Sequence, residues 1–506
     1  MIAIKKGGIR VRLVELLLLL FNTGWLILSI VQNRKIPLAA ASVIGVLLLA
    51  VHGFTEGFRV QMLLSYVLTV LFAAVTAYSY LTRGKTRKLP RYLKFIGRGA
   101  AVVMLLLTIG LIAAFPVFKL PEPTGGYQVG TQTFHFTDTD REELFDDKAE
   151  GYRELMVQVW YPAQDTHGSP VPFIADERLL NEEPLSKTLG FPSAVMDYLK
   201  YVPSHSYEGA EISAAQAAYP LILLNHGYKS SRIYHTSLAE HLASHGYIVA
   251  SIDHTYSSFA TVFPGGRVAA MRTDEYRIVE TEYRDQVGAV WTSDVAFVLD
   301  QFEKINAGEL ASGLHGKLDM QHIGVIGHSF GGAAAYDASY DDRITAGINL
   351  DGGLYRYHGR DGFTKPFMVM FSENTFDRFN KVRQHYVYTD EELHEMGATR
   401  EEIEQETRDA EVEISHFQNT ARHGGYILYV EGMSHYNFAD VQFLTPILQL
   451  IGMTGEINPA RAASIVNSYT LDFFDRYLKD KEGDLLEGPS ETFPEVKIAT
   501  PLFGGE

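Results

Sequence analysis

Apolar residues fill four long runs in the first 120 positions, separated by short polar connections. The runs cover about 13–31, 36–54, 60–81 and 99–118. Each is close to the roughly 20 residues that an α-helix needs to cross the hydrocarbon core of a bilayer. Such runs rarely recur so closely in a soluble fold, and a signal peptide would be one shorter run. The pattern therefore predicts an all-α transmembrane domain of about four helices over residues 1–120, with buried soluble helices as the alternative.

From residue 121 to residue 506 the pattern changes to short apolar runs that alternate with helical stretches. Helices are predicted at 237–246, at 283–304 and from Ser329 onward. Continuous apolar strands alternating with helices predict an α/β domain, with a mostly parallel sheet covered on both faces. Ligands bind such sheets at the carboxyl ends of the strands. The strand-like runs are ELMVQVWYP (154–162), YPLILLNHG (219–227), YIVASIDH (247–254), HIGVIG (322–327), ITAGINLDG (344–352), PFMVMFSE (366–373) and YILYVEG (426–432).

An acidic stretch at about 388–425 interrupts this alternation between two of the predicted strands. It is predicted to be helical, and Thr399 and Glu402 have the spacing of a capping box, in which each side chain bonds to the other residue's backbone N–H. The stretch is interpreted as a helical insertion in the α/β domain. Two roles stay open for it: a solvated surface hairpin, or a lid over the mouth of a substrate pocket.

The net charge of −17 combines two parts of opposite sign. Residues 1–120 hold fifteen Lys and Arg against two Asp and Glu, a net of +13, so the remainder carries −30. An acidic domain repels the phosphates of nucleic acid, which argues against a nucleic-acid partner. The chain has no cysteine, so disulfides, thiolate metal sites and a cysteine nucleophile are excluded.

Sequence motifs give no sign of a cofactor or a metal ion. Neither a Walker loop nor a dinucleotide-binding glycine fingerprint occurs in the chain. His241 and His245 have the i, i+4 spacing of two zinc ligands, but no glutamate completes the HExxH pattern. The sequence therefore predicts that the protein uses neither.

Basic residues between the third and fourth apolar runs predict how the chain is oriented in the membrane. The segment TRGKTRKLPRYLKFIGRG carries seven of them: Arg83, Lys85, Arg87, Lys88, Arg91, Lys94 and Arg98. The positive-inside rule keeps this segment cytoplasmic, so the fourth run delivers everything after Phe118 to the outside. The basic N-terminus competes for the cytoplasmic side and would bring the large domain inside with it. The favoured prediction is a multi-pass cell-membrane protein whose large domain is extracytoplasmic.

Ser329 lies in the sequence Gly327-His328-Ser329-Phe330-Gly331, which follows an apolar strand and opens a predicted helix. A sharp turn between strand and helix exposes a nucleophilic serine, and the flanking glycines supply the small volume that the crowded turn requires. The N-terminus of the helix also favours developing negative charge. We therefore predict that Ser329 is a nucleophile rather than a simple helix cap.

A nucleophilic serine needs a general base and an acid, which in such enzymes follow it in the order serine, acid, histidine. Of the histidines after residue 351, His435 lies just past the end of a predicted strand, where its ring could reach Ser329. Asp351 ends the strand after the nucleophile helix, while Glu373 and Asp377 lie past the next strand. The order of strands leaves these three acids open. The histidines after residue 351 are His358, His385, His394, His416, His423 and His435.

Stabilising the oxyanion of an ester-cleavage intermediate requires two backbone N–H donors. One is expected from Phe330, the residue after the nucleophile. The other is expected from the loop after the strand at 219–227, where Tyr228 is the best candidate.

Several sequence blocks together resemble a known family. They are PLILLNHGYKSSRIYHTSLAEHLASHGYIVASIDH (220–254), HIGVIGHSFGGAAAYDAS (322–339), ITAGINLDGG (344–353) and GMSHYNFAD (432–440). The chain resembles, over roughly 121–450, the secreted and intracellular type II platelet-activating factor acetylhydrolases and their bacterial relatives, which are lipase-like α/β-hydrolases.

The resemblance implies an α/β-hydrolase fold with Ser329 as nucleophile, Asp351 as acid and His435 as base. It also implies oxyanion donors at Tyr228 and Phe330, no metal, and hydrolysis of short or oxidised acyl chains of phospholipids. The four N-terminal runs and the acidic stretch depart from the animal members of the family.

The functional hypothesis is a membrane-anchored serine ester hydrolase that works through an acyl-enzyme, with an ester or phospholipid substrate and the bilayer as its partner. Two alternatives stay open. One is a general carboxylesterase or polyester hydrolase that acts on non-lipid esters, and the other is a non-catalytic membrane sensor that binds a lipid.

Overall fold

The chain forms two compact units in a computed structural model. We call Met1–Lys119 together with Leu180–Pro203 and Leu444–Ile447 the helical unit, and the remainder the α/β unit. The chain first passes from the helical unit to the α/β unit between Lys119 and Leu120, and two later segments also belong to the helical unit. The structure describes residues 12–31, 36–82, 90–146, 151–181, 188, 190–357, 360 and 362–504.

The helical unit contains the helices α1 (Leu13–Val31), α2 (Ile36–Thr55), α3 (Leu63–Leu81) and α4 (Arg91–Ala114). Three stretches of the described residues, Leu13–Val31, Val60–Leu81 and Arg91–Ala114, are long and apolar enough to cross a membrane. The second apolar run gives a shorter apolar helix, Ala40–Thr55, over the residues searched. The four predicted spans are therefore supported for three of the four runs.

The fourth helix differs from its predicted range of 99–118. It begins eight residues earlier, at Arg91, so Arg91, Lys94 and Arg98 lie within the helix rather than in a loop before it. It ends at Ala114 because Pro116 follows, and a residue before proline disfavours helical backbone angles. The other basic residues of the predicted cytoplasmic loop, Arg83, Lys85, Arg87 and Lys88, lie outside the described residues.

Buried ion pairs join one end of all four helices. The Arg59 guanidinium donates to both carboxylate oxygens of Glu15 at 2.7 Å and to the backbone carbonyl of Phe115 at 2.9 Å. Arg12 donates to Glu15 at 2.7 Å. The start of α1, the α2–α3 connection and the end of α4 therefore lie at the same end of the unit.

A ten-stranded sheet forms the centre of the α/β unit, in the order β12-β11-β10-β9-β8-β4-β5-β2-β1-β3. The six strands from β11 to β5 run parallel, while β2 and β12 pair antiparallel with their neighbours. This is the predicted mixed α/β architecture with a large, mostly parallel sheet. The strands are β1 (Gln128–Glu142), β2 (Tyr152–Ala163), β3 (Ser206–Glu208), β4 (Tyr219–Asn225), β5 (Ile248–Asp253), β6 (Ala260–Val262), β7 (Val268–Ala270), β8 (Leu318–His328), β9 (Ala346–Leu350), β10 (Phe367–Ser372), β11 (Tyr426–Val430) and β12 (Val496–Ile498), of which β6 and β7 form a separate hairpin.

Helices cover both faces of the large sheet. One apolar core packs the helices Thr236–Ser244 and Pro459–Lys479 against the sheet. A second core packs the helices Thr281–Ala307 and Phe330–Ala338 against the opposite side chains of the same strands. The central strands are buried along their whole length, which explains why they appear in the sequence as continuous apolar runs. The remaining helices are α5 (Arg178–Asn181), α6 (Ser193–Met196), α7 (Thr236–Ser244), α8 (Thr281–Ala307), α9 (Phe330–Ala338), α10 (Glu373–Arg383), α11 (Asp390–Met396), α12 (Arg400–Arg422), α13 (Ile447–Leu450) and α14 (Pro459–Lys479).

The acidic stretch at 388–425 forms α11 and α12, and the capping box at Thr399 and Glu402 is present. One side of α12 is buried, with Ala410, Ile414 and Phe417 in an apolar core shared with β10 and β11. Because β10 and β11 are parallel, the chain must cross over between them, and α10 to α12 form that crossover. Most of the acidic residues of α12 lie on the exposed side, whereas Glu413 is buried, and the helix belongs to the body of the fold.

Candidate active site

Ser329 occupies a sharp turn between β8 and α9. Its backbone has φ 56° and ψ −123°, a strained conformation for a residue with a side chain. A Cβ atom at Gly327 would lie 1.9 Å from the carbonyl oxygen of Gly331, and one at Gly331 would lie 2.3 Å from backbone oxygens of β4 and the loop after it. The turn therefore requires glycine at both positions, as the motif predicted.

The structure brings together the three side chains that the resemblance selected. The His435 ring lies with Nε2 2.9 Å from the Ser329 hydroxyl and with Nδ1 2.8 Å from a carboxylate oxygen of Asp351. Ser329 follows β8, Asp351 follows β9 and His435 follows β11, so all three lie at the carboxyl ends of parallel strands. The Asp351 side chain is fully buried, and the His435 side chain is 38% exposed.

Asp351 is fixed by its backbone as well as by its side chain. It has φ 56°, its N–H donates to the carbonyl of Met370, and its second carboxylate oxygen accepts the Ser372 N–H at 2.6 Å. The two competing acids do not reach the imidazole. Glu373 accepts the N–H of Gly432 at 2.8 Å, and Asp377 is an exposed residue of α10.

His328 supports the other side of His435, a contact that the sequence did not indicate. Its Nε2 donates to the backbone carbonyl of His435 at 2.9 Å, and the two rings lie 4.7 Å apart. Burial lowers the pKa of His328 well below its usual range, and the neighbouring imidazoles act in the same direction. His328 is therefore neutral and orients the loop without adding positive charge to it. The one sequence feature that could have indicated this contact is the position of His328 inside the motif Gly327-His328-Ser329-Phe330-Gly331.

The loop after β4 lies directly beside Ser329. A Cβ atom at Gly227 would be 3.2 Å from the Cβ of Ser329, and the Tyr228 ring lies 5.8 Å from the Phe330 ring. Among the described residues, the backbone N–H groups of Tyr228 and Phe330 donate to no protein acceptor. Both predicted oxyanion donors are therefore available to a ligand at Ser329.

These contacts define what the site can do chemically. The Ser329 hydroxyl can donate its proton to Nε2 of His435, while Nδ1–H of the same ring donates to Asp351. The carboxylate then fixes one tautomer and offsets the positive charge that the ring acquires. With two free N–H donors beside it, the arrangement has the parts needed for acyl transfer.

The described residues offer one group that could hold a metal ion by geometry: Glu15, His52 and Glu56 in the helical unit. Their acidic oxygens already accept hydrogen bonds from Arg12, Arg59 and backbone N–H groups. Two guanidinium groups within bonding distance of the carboxylates disfavour a further cation. We therefore regard the group as an ion-pair cluster.

Comparison with known proteins defines the class first. The chain is similar to a ferulic acid esterase from Streptomyces cinnamoneus, with a TM-score of 0.57, 28% identity, and coverage of 75% of this chain and 98% of the esterase. The large mostly parallel sheet thus matches an esterase fold.

Sequence relatives and a family profile then identify the family within the esterases. A platelet-activating factor acetylhydrolase of Cavia porcellus is 26% identical over 427 residues, which are 78% of this chain and 87% of the relative. A probable 1-alkyl-2-acetylglycerophosphocholine esterase of Arthroderma benhamiae is 24% identical over 421 residues, 78% of this chain and 97% of the relative. The profile of the family "Platelet-activating factor acetylhydrolase, isoform II" matches residues 112–491. The chain belongs to this family, and it is a carboxylic ester hydrolase.

Proposed function

We propose that the protein is a membrane-anchored serine hydrolase that cleaves short or oxidised acyl esters of phospholipids through an acyl-enzyme. The observation that carries the proposal is the continuous hydrogen-bonded chain from Ser329 through His435 to Asp351, with both distances below 3.0 Å. It extends over residues that are 106 positions apart in the sequence, so local sequence alone does not produce it.

In the proposed mechanism His435 accepts the proton of Ser329 as the hydroxyl attacks the ester carbonyl. The negative charge that forms on the carbonyl oxygen is stabilised by the N–H groups of Tyr228 and Phe330. His435 then donates its proton to the leaving alcohol, and a water molecule that it activates cleaves the acyl-enzyme.

Labelling with a fluorophosphonate probe tests the nucleophile. We expect the wild-type protein to be labelled and the Ser329→Ala variant to be unlabelled, with kcat on p-nitrophenyl butyrate lower by about 10³-fold or more. Ser293→Ala is the matched control, because this exposed serine bonds within its own helix at 2.9 Å from Ala289. Wild-type turnover by Ser329→Ala would refute the proposed mechanism. Unlabelled wild-type protein would instead favour the alternative of a non-catalytic lipid-binding sensor.

The substrate class follows from the family and is tested by direct competition. We expect phospholipids with an acetyl or an oxidised short acyl chain to be cleaved with a higher kcat/KM than methyl ferulate. The similarity to a ferulic acid esterase keeps a general carboxylesterase as the second candidate. A kcat/KM that favours methyl ferulate or polyester fragments would support that candidate instead.

Membrane anchoring rests on the apolar helices. Three of these helices have the length and hydropathy of a membrane span, and we propose that all four helices cross the membrane. An even number of spans agrees with the shared end of the helices, where Arg59 reaches both Glu15 and Phe115. Arg91, Lys94 and Arg98 lie in the first turns of α4, at the opposite end of that helix from Phe115, so the positive-inside rule favours an extracytoplasmic α/β unit. Labelling of intact cells by a membrane-impermeant fluorophosphonate is the test, and labelling only after lysis would place the active site inside.

A further inference from the structure

The direction of one proposed oxyanion donor is set by a single peptide unit. The carbonyl of Gly227 and the N–H of Tyr228 belong to the same peptide, which is trans. In a planar trans peptide these two groups point in opposite directions. Whatever holds the Gly227 carbonyl therefore also fixes where the Tyr228 N–H points.

His226 holds that carbonyl. Its Nδ1 lies 2.7 Å from the Gly227 oxygen, which also accepts the Ser230 N–H at 3.0 Å. Its Nε2 lies 3.2 Å from the backbone nitrogen of His254. A carbonyl oxygen can only accept and a backbone N–H can only donate, so the two contacts select the neutral ring with its proton on Nδ1.

The surroundings of His226 keep the ring in this state and orientation. The side chain is fully buried, and burial lowers its pKa well below the usual range, with His254 acting in the same direction. Trp291 lies 5.1 Å from the His226 ring and stacks on the His254 ring at 3.8 Å. Asp294 lies 3.0 Å from Nδ1 of His254 and also pairs with the buried Arg153. The ring is therefore packed against Trp291 and His254 and is shielded from solvent.

We propose that His226 is a positioning residue for ester hydrolysis, which fixes the Tyr228 N–H toward the oxyanion through the Gly227 carbonyl. The inference rests on the proposed serine-hydrolase function and adds to it a residue that touches neither the substrate nor the reacting atoms. A buried histidine that served only to fill space would not need a donor on the Gly227 side and an acceptor on the His254 side at once.

Two substitutions separate the two bonds of the ring. His226→Asn places an amide N–H close to the position of Nδ1, so the bond to the Gly227 carbonyl is kept and the acceptor for His254 is lost. His226→Gln reaches the His254 N–H but removes the imidazole donor of the Gly227 carbonyl, which keeps only its bond from the Ser230 N–H. We expect His226→Asn to keep kcat/KM within about threefold of wild type. We expect His226→Gln to lose about 10- to 10²-fold, because removal of an oxyanion donor costs other enzymes about 10²- to 10³-fold.

The inhibition constant of a transition-state analogue separates the two roles, because a merely structural role of His226 would leave it unchanged. An alkyl trifluoromethyl ketone forms a tetrahedral adduct with an active-site serine, so its inhibition constant reports oxyanion stabilisation. For His226→Gln we expect this constant to rise by the same factor as kcat/KM falls, with KM changed less than about twofold. His241→Gln is the control, since it replaces another buried histidine, which lies on helix α7 and outside the loop that holds His226 and Tyr228.

These measurements distinguish a positioning role of His226 from a purely structural one. Equal losses in the Asn and Gln variants, or an inhibition constant that stays unchanged while kcat/KM falls, would overturn the inference. Should His226→Gln fail to fold, His226→Leu replaces it, because leucine has the shape of asparagine without the donor. Equal activity of His226→Leu and His226→Asn would then overturn the inference as well. Ser329→Ala is measured alongside, because retained activity there would refute the proposed function itself, whereas its loss leaves the His226 result to be judged alone.

Discussion

Replacing Gly331 by alanine measures how strictly close packing sets the geometry of the site. The added Cβ would lie 2.3 Å from the backbone oxygens of Asn225 and His226. Ordinary contact begins at 3.4 Å, so the start of α9 must withdraw from Asn225 and His226 by about 1 Å. The Cβ is fixed by its own backbone and meets backbone oxygens, so no side chain can rotate away to relieve the contact.

The same displacement moves the Phe330 N–H and the Ser329 hydroxyl relative to His435. A misplacement of about 1 Å costs on the order of 10²-fold in rate, so we expect kcat/KM of Gly331→Ala on p-nitrophenyl butyrate to fall by about 10²-fold with little change in KM. Overpacking of this kind also costs about 1–3 kcal/mol of stability, which thermal inactivation would detect.

Gly313→Ala is the matched control, because its Cβ would meet no atom within 4 Å. It should behave as wild type in both assays. A Gly331→Ala variant with kcat/KM within about threefold of this control would show that α9 tolerates the displacement and would refute the reasoning.

Asp351→Asn should lower kcat by about 10³-fold or more without unfolding the protein, because asparagine neither offsets the imidazolium charge nor fixes its tautomer; a loss below tenfold on p-nitrophenyl butyrate would contradict this role. Burial raises the pKa of Glu240 from 4.5 to about 8, so the native state keeps a proton that the unfolded state releases, and stability falls as pH rises from about 4.5 to 8. Glu240→Gln should therefore slow thermal inactivation at pH 8 but not at pH 4.5, and an unchanged pH dependence would contradict this origin. Glu15→Gln should destabilise the helical unit by about 3–5 kcal/mol in detergent, since it leaves Arg59 buried without its carboxylate. Adding Arg59→Gln should restore part of the loss in melting temperature, and a double variant less stable than the single one would argue against this pairing.

Local sequence was enough to predict the sharp turn at Ser329 and the central strands. The motif around Ser329 contains its own steric requirement, since Gly327 and Gly331 face each other across the turn. The strand residues 221–224 and 323–327 are buried, and no polar residue interrupts these apolar runs. Both features depend on residues that are close in the chain.

Choosing the acid required more than local sequence. Asp351, Glu373 and Asp377 all follow strands, and the strand order alone left them open. What separates them in the structure is the left-handed backbone of Asp351 and its bond to the Ser372 N–H, a contact across two neighbouring strands. The resemblance to the family carried this information, whereas hydropathy could not.

Tertiary contacts explain what the sequence left unpredicted. The acidic stretch was interpreted as an insertion because its charge is conspicuous, but the buried side of α12 has only a few apolar residues in 23 positions. The assignment of 180–203 and 444–447 to the helical unit depends on contacts between distant segments, as does the bond from His328 to the His435 carbonyl. A single sequence does not record such pairings.

The position of the site follows from how the two central strands are connected. After β4 the chain continues into α7, which packs in the core on one side of the sheet, and after β8 it continues into α9, which packs in the core on the other side. Because β4 and β8 are neighbours, their connections separate and leave a crevice at the carboxyl edge, where ligands bind in open α/β sheets. The loop after β4 supplies the Tyr228 N–H on one side of this crevice, and the turn after β8 supplies Ser329 on the other. The fold therefore provides the opening, and the strands β9 and β11, which follow β8 in the sheet beyond this point, bring the carboxylate and the imidazole to the same edge.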